Sequence, residues 1–301
     1  MEYKDKLNVS KDFKFGIELE FTNINIAYLY TIMKDKFPVQ FKLNHKMDDF
    51  DFDKNWCLDQ ENSVTNVEKH NEYDRYMGGE LSSRTFTDTN HDWKEIYDVC
   101  NFLKENDCKT DETCAFHMHI SNNKFRKNLK FYEGLYKLIA LYEDDFKIFY
   151  MGDKYIERPK SKDYAVPLKN RLLEKIDNID FNNYESVYQN LFALQEDDFS
   201  TKDGLHVDYD INEIEVRYPN GTIDTNIVQN NVNFTLKLFD SLLNNKISID
   251  KLDYLVKLKK EDRDIRNIHP REFRELVTTI SNDFTDERDF IGQYKKVLST
   301  K

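Results

Sequence analysis

The segment CAFHMHIS, residues 114–121, places His117 and His119 two residues apart. On a β-strand residues i and i+2 share a face, so both imidazoles point the same way as Ala115 and Ser121. Cys114, Phe116, Met118 and Ile120 take the other side. The same division recurs three times. In FKFGIELEF (13–21), Phe13, Phe15, Ile17, Leu19 and Phe21 alternate with Lys14, Gly16, Glu18 and Glu20. In EIEVRYP (213–219), Ile214, Val216 and Tyr218 oppose Glu213, Glu215 and Arg217. In GGELSS (78–83), Glu80 and Ser82 share one face opposite Leu81.

Each strand alone reads as a sheet with one solvated face, and a lone HxH is more often a bystander than a metal site. Solvated faces, however, usually mix Lys, Thr, Ser and Glu. These faces are nearly pure in metal-ligating types, with one Arg and little Lys. Like charges repel across neighbouring strands, so convergence of Glu18, Glu20, Glu80 and Glu215 calls for a cation. Carboxylate oxygens with limited imidazole suit Mg²⁺ or Mn²⁺ better than zinc.

The elements that must position these residues follow from periodicity. Residues 13–21 alternate strictly and form a strand, with a helix expected over 24–36. Strands are expected near 39–45 and 63–69, and a glycine-entered strand over 78–86. Residues 91–106 carry Trp93, Ile96, Tyr97, Cys100 and Leu103 at helical spacing. A long helix over roughly 128–149 carries Tyr132, Leu135, Tyr136, Ile139, Tyr142, Phe146 and Phe149 on one stripe, the pattern of core rather than of a cofactor box. Residues 150–171 read as a basic loop leading into another helical region. Residues 206–221 form a strand pair or one long strand ending in a PNG turn. From about residue 222 onward the chain reads as helical. One helix begins near Asp224, one follows Pro270, and one follows Thr285 as N-cap with Asp286 and Glu287 in its first turn.

At 301 residues the chain can bury one large core or two modest ones, and 39% hydrophobic content suffices for a packed protein. The net charge of −12 argues against a nucleic-acid partner, because phosphate backbones are held by clustered Lys and Arg. It still permits ATP when a divalent metal bridges acids to phosphates. Cys57, Cys100, Cys108 and Cys114 show neither CxxC spacing nor a dense framework, as expected of buried thiols in a reducing compartment. No apolar leader or membrane-length run is visible. A cytoplasmic protein without a membrane partner is the expectation.

GIELEF, GGELSS, CAFHMHIS and EIEVRYPNGTID, in this order and over roughly residues 13–245, resemble the amidoligase family. These are carboxylate–amine ligases with the glutamine synthetase catalytic fold, to which glutamate–cysteine ligases are related. The resemblance implies an α+β fold: a mainly antiparallel curved sheet, flanking helices, and ATP held through Mg²⁺ or Mn²⁺ against the concave face. It implies that Glu18, Glu20, Glu80, His117 and Glu215 hold metal. His119 would lie near the nucleotide phosphates with Ser82, and Arg217 would be the phosphate-facing cation. The family's usual DGS appears here as ENSV (61–64), which leaves the roles of Glu61 and Ser63 open. Its basic residue near the middle loop falls to Arg158, Lys160 or Arg171. A catalytic domain would span 1–245, with a helical extension over 246–301.

The activity so implied joins a carboxylate substrate to an amine substrate. ATP phosphorylates the carboxylate, and the amine displaces phosphate. Arg217, Glu80 and Arg171 are the candidate catalytic residues, with Arg158 a further nucleotide or substrate contact. The general base for the amine, a carboxylate or tyrosine, is not identified. Two rivals remain: a metal-dependent hydrolase built on HxH plus acids, which needs no ATP, and a binder that has lost turnover. The middle loop, 150–171, reads first as a solvated connector. Its local positive excess and its place between the long helix and the ExR strand would also let it fold over the sheet as a lid that excludes water from an acyl phosphate.

Overall fold

The computed structural model describes residues 3–42, 54–61, 64, 77–158, 165–195, 203–208, 210–261 and 269–301. The strands among the described residues are β1 (Lys14–Asn25), β2 (Val39–Lys42), β3 (Trp56–Asp59), β4 (Met77–Ser82), β5 (Phe116–Ser121), β6 (Leu205–Asp208) and β7 (Glu213–Val216). They make one seven-stranded open sheet in the order β2-β3-β4-β1-β5-β7-β6. Neighbours run antiparallel except β2 and β3, which are parallel. β1 is therefore central, and its alternation governs both faces.

Around the sheet lie α1 (Ile26–Met33), α2 (Asn90–Glu105), α3 (Leu129–Tyr150), α4 (Lys169–Lys175), α5 (Tyr184–Gln195), α6 (Thr225–Leu243), α7 (Ile249–Glu261), α8 (His269–Ile280) and α9 (Phe284–Leu298). Phe15, Ile17, Leu19 and Phe21 of β1 are buried together with Phe116, Met118, Ile120, Ile214 and Val216. Helices cover this apolar face. The Phe15 ring stacks on Trp93 of α2 at 5.2 Å, and the Thr235 hydroxyl of α6 meets the Met118 sulfur at 3.8 Å. Burying each large apolar side chain contributes roughly 1.5–3 kcal/mol. The entire stripe expected on α3 is buried. On α2, Tyr97 leaves the stripe and is exposed, its ring 5.0 Å from Tyr3.

Glycine is demanded at the entry to β4. Gly78 has φ +127, and a Cβ there would lie 2.7 Å from the Phe21 carbonyl oxygen. A Cβ on Gly79 would meet the Asp59 carbonyl oxygen at 2.5 Å, so the two glycines let β3, β4 and β1 close up.

Several boundaries differ from those read in the sequence. Asp283, not Thr285, caps α9: its carboxylate accepts from the Asp286 amide at 2.9 Å, and Thr285 sits inside the first turn. Asp286 and Glu287 still occupy that turn. α8 begins at His269, so Pro270 falls within its first turn, where a missing N–H costs nothing. Residues 206–221 form two strands, with the Asp208 carboxylate accepting from the Asp210 and Ile211 amides at 3.0 and 3.2 Å at the turn. The short strand β3 was not anticipated, because WCLD has no alternation. The strand expected near 63–69 lies, apart from Val64, outside the described residues.

The C-terminal helices share the core of the sheet's helical layer. Phe273 and Phe290 pack on Phe234 at 6.2 and 5.4 Å, and the Tyr294 hydroxyl donates to Asp145 at 2.7 Å. No described helix is long and apolar enough to cross a membrane.

Candidate active site on the polar sheet face

Register decides whether the acidic faces meet. Glu18 pairs with Ser82 on β4 and with His117 on β5. Glu20 lies opposite Glu80, Gly16 opposite His119, and His119 opposite Glu215. Side chains directly across a sheet share a face, so four strands deliver Glu18, Glu20, Glu80, Ser82, His117, His119 and Glu215 to one surface. β3 extends it: Asp59 pairs with Glu80 and Cys57 with Ser82.

Glu18 is the hub. One oxygen lies 2.8 Å from His117 Nδ1 and the other 3.2 Å from His119 Nε2. Burial raises its carboxyl, but the two imidazoles outweigh it and hold the group well below the usual carboxylate range. His119 Nδ1 lies 2.8 Å from Glu213. Burial lowers the His119 imidazole, yet its bonds to Glu18 and Glu213 and the nearby Glu215 charge push it up to about 11. Glu80 behaves oppositely. Burial, then repulsion from Glu18, Glu20 and Glu61, lifts its carboxyl well above the usual range despite a 3.0 Å bond from the Ser82 hydroxyl. Glu20 is also raised, mainly by burial, although the Ala115 amide donates to it at 2.6 Å.

Two groups of side chains have the ligand spacing of a cation site. Glu18, Glu80 and His117 form one, and Glu18, His119 and Glu215 the other; within each, one atom per residue lies within 4.8 Å of the rest. Glu18 belongs to both. Glu215 supplies a further indication: one oxygen accepts from Arg217 Nη2 at 2.6 Å, while the other is buried without a hydrogen-bond partner among the described residues. Buried polar atoms are nearly always satisfied, so a carboxylate oxygen without a described partner, 3.8–3.9 Å from two imidazoles, is one that could serve as a cation ligand. All-oxygen and imidazole donors with no thiolate among these ligands suit Mg²⁺ or Mn²⁺.

The other expected residues fall as follows. Glu20 lies outside both ligand groups, held by the Ala115 amide. Arg217 adjoins Glu215 and its Nε is buried without a partner. Arg158 donates to the Arg217 carbonyl oxygen at 2.8 Å and acts electrostatically on Glu20, which brings it to the edge of the face. Arg171 stands on α4 with its guanidinium paired to Asp203. Glu61 acts on Glu20 and Glu80, whereas Ser63 and Lys160 lie outside the described residues. So do residues 159–164 of the expected lid.

Sequence reasoning gave no role to Glu213, the residue that fixes the His119 ring; its parity with Glu215 on β7 was the available signal. It also missed Asp59, for which no alternation offered a cue. Beside His119, Glu213, Gly16 and Ser82 a cavity of about 440 Å³ opens onto the Glu18 end of the face.

Residues 11–239 match the family model described as putative amidoligase enzyme. No curated protein matches the chain.

Proposed function

We propose, from the premise that the chain belongs to the amidoligase family, that it is an ATP-dependent carboxylate–amine ligase working through an acyl phosphate. Membership of that family makes it a ligase-type enzyme that forms carbon–nitrogen bonds. The observation that carries the finer reading is the surplus of buried acid around Glu18, with the unpartnered Glu215 oxygen and two guanidinium groups beside it.

Forming an amide needs a better leaving group than carboxylate oxygen. In the proposed sequence a substrate carboxylate oxygen attacks the γ-phosphorus of ATP and ADP leaves. The amine nitrogen then attacks the acyl carbon, and phosphate departs with that carboxylate oxygen while the amine gives up a proton. Mg²⁺ or Mn²⁺ held by Glu18, Glu80, His117 and Glu215 would neutralise charge on the transferring phosphoryl group. Glu20, outside these ligands and held by the Ala115 amide, would add negative field beside them. His119, protonated and locked between Glu18 and Glu213, presents a cation to the nucleotide side. Arg217 offers a planar fork to a phosphoryl oxygen, its Nε still free to donate. Ser82 orients Glu80. In this reading Arg171 contributes only if it leaves Asp203 when substrate binds.

The deciding experiment labels the substrate carboxylate with ¹⁸O. Incubation with cell extract, ATP and Mg²⁺, followed by mass spectrometry, should show amide product, ADP, and one ¹⁸O in the released phosphate. Amide cleavage without ATP would replace this reading with the metal-dependent hydrolase.

A further inference from the structure

A second cavity, of about 630 Å³, lies between the C-terminal end of α3 and the Tyr218–Asn220 segment that follows β7, with Arg158 in its wall. We propose that it is the site of the carboxylate substrate, and that it selects a substrate carrying a second anionic group. This inference rests on the ligase reading for the reaction but not for the binding chemistry.

Arg158 is 9% exposed and donates one hydrogen bond, to the Arg217 carbonyl oxygen. It has no ion pair with any described carboxylate. A guanidinium offers five N–H donors, and burying one with a single bond is costly. The neighbouring Arg217 Nε is likewise buried without an acceptor. Arg217 is paired with Glu215, whereas Arg158, in the cavity wall, has no such partner among the described residues and keeps donors open to an anion.

The rest of the cavity has the same bias. Lys147, half-buried on α3, has no described carboxylate partner, whereas the two acids in the lining are engaged: Asp144 pairs with Lys169, and Glu157 accepts from the Tyr155 hydroxyl. Between the cations the walls are apolar or aromatic, and they are held in place. The Tyr218 hydroxyl is anchored on buried Glu143, and the Asn220 amide donates to the Ile156 carbonyl oxygen at 2.9 Å. A preorganised pocket of this volume with cations at separate positions suits a small dianion with an aliphatic body.

Placement supports the division of labour. The 440 Å³ cavity meets β1 at Gly16 and Glu18, whereas Arg158 acts on Glu20, two residues or about 7 Å beyond Glu18 along the strand. Nucleotide entering beside His119 and carboxylate entering beside Arg158 would meet over the acids between them.

The test uses the full chain and isothermal titration with the dicarboxylates succinate through pimelate, with valerate as the single-charge control, and Mg²⁺–ATP as a separate titrant. At least one dicarboxylate should bind tenfold or more tighter than valerate. Arg158→Gln and Lys147→Gln should each weaken it by about tenfold or more, the scale of one lost charge-assisted hydrogen bond. Affinity for Mg²⁺–ATP should move less than threefold. Lys147 is half-buried at the rim, so Lys147→Gln remains informative if Arg158→Gln folds poorly. Absence of a dicarboxylate preference, or variants that weaken Mg²⁺–ATP instead, overturns the assignment. A wild-type chain that binds dicarboxylate but no Mg²⁺–ATP would sink the ligase reading and leave the cavity assignment standing.

Discussion

On the helical side of the sheet, Asp286 is buried between Lys237 and Lys4, with Nζ–O distances of 2.5 and 2.6 Å, and Asn233 donates a further bond at 3.1 Å. On the polar side, Glu215 is about equally buried, yet one of its oxygens has no partner. Glu80 there faces three other carboxylates. One chain thus treats buried charge in two ways. Where charge serves the fold, opposite charges are drawn in until both carboxylate oxygens are paired. Where like charges are gathered and left unsatisfied, stability is spent, and such spending marks a surface shaped for a ligand. The contrast separates structural acids from functional ones more sharply than burial alone.

The largest effect should come from breaking the satisfied side. Asp286→Asn leaves Lys237, itself 2% exposed, as an uncompensated buried charge, and should cost about 3–5 kcal/mol in urea unfolding. Its pH dependence has a definite sign. Burial opposes ionisation, but Lys237 and Lys4 outweigh it and lower the Asp286 carboxyl below its usual value. Its contribution is therefore present above the unfolded value near 3.8 and lost as pH falls through the folded one. The variant's stability should be flatter through that acid range. An unchanged acid limb would mean that the triad is not what holds α9 to α6 and the N-terminal segment.

Glu20→Gln should do the reverse. The Gln carbonyl can still accept from the Ala115 amide, so the fold persists, while amide formation falls by about 10²–10³-fold, the scale of losing one preorganised electrostatic group. A loss of melting temperature comparable to that of Asp286→Asn would place Glu20 among the structural acids. Glu215→Gln is distinguishable from it. From the sequence the two acids look equivalent, but Glu215 carries Arg217 at 2.6 Å. Its neutralisation should therefore cost about 1.5–3 kcal/mol of stability as well as activity, read by parallel urea and rate measurements.

How much of this was legible depends on what each feature leaves in a linear string. Strand parity is written directly into β1, β5 and β7, because every second residue changes polarity, and the order of motifs carried the family. Which faces converge is settled by register, which no residue spells out: Glu18 meets both histidines because β5 pairs Met118 with Ile17, not with a neighbour. The short β3 strand is buried and non-alternating, so Asp59 stayed hidden. The Asp283 cap was missed for a smaller reason, since Asp283 and Thr285 are both acceptable caps two residues apart and backbone geometry chooses. The pairing of Arg171 with Asp203 joins segments 32 residues apart and has no local signature.

The smallest effect bears most directly on why the polar face is built as it is. Glu80→Gln removes one of the mutually repelling carboxylates and keeps an oxygen for the Ser82 hydroxyl. Because burial and then Glu18, Glu20 and Glu61 raise the Glu80 carboxyl, the metal-free fold loses stability as pH rises from the ordinary carboxylate range through that elevated value. Glutamine does not ionise, so the variant should escape this loss. Without divalent metal at pH 8 it should melt higher than the wild type by ~2 °C, about 1 kcal/mol for a chain of this size, with the difference closing near pH 4. Adding Mg²⁺ should invert the order, because a cation that binds only the native state stabilises the protein whose ligand set is intact. A variant that melts lower than the wild type in chelator at pH 8 would show that Glu80 serves the fold, as Asp286 does. One whose order does not invert with Mg²⁺ or Mn²⁺ would remove Glu80 from the metal ligands and leave Glu18, His119 and Glu215 as the group to test next.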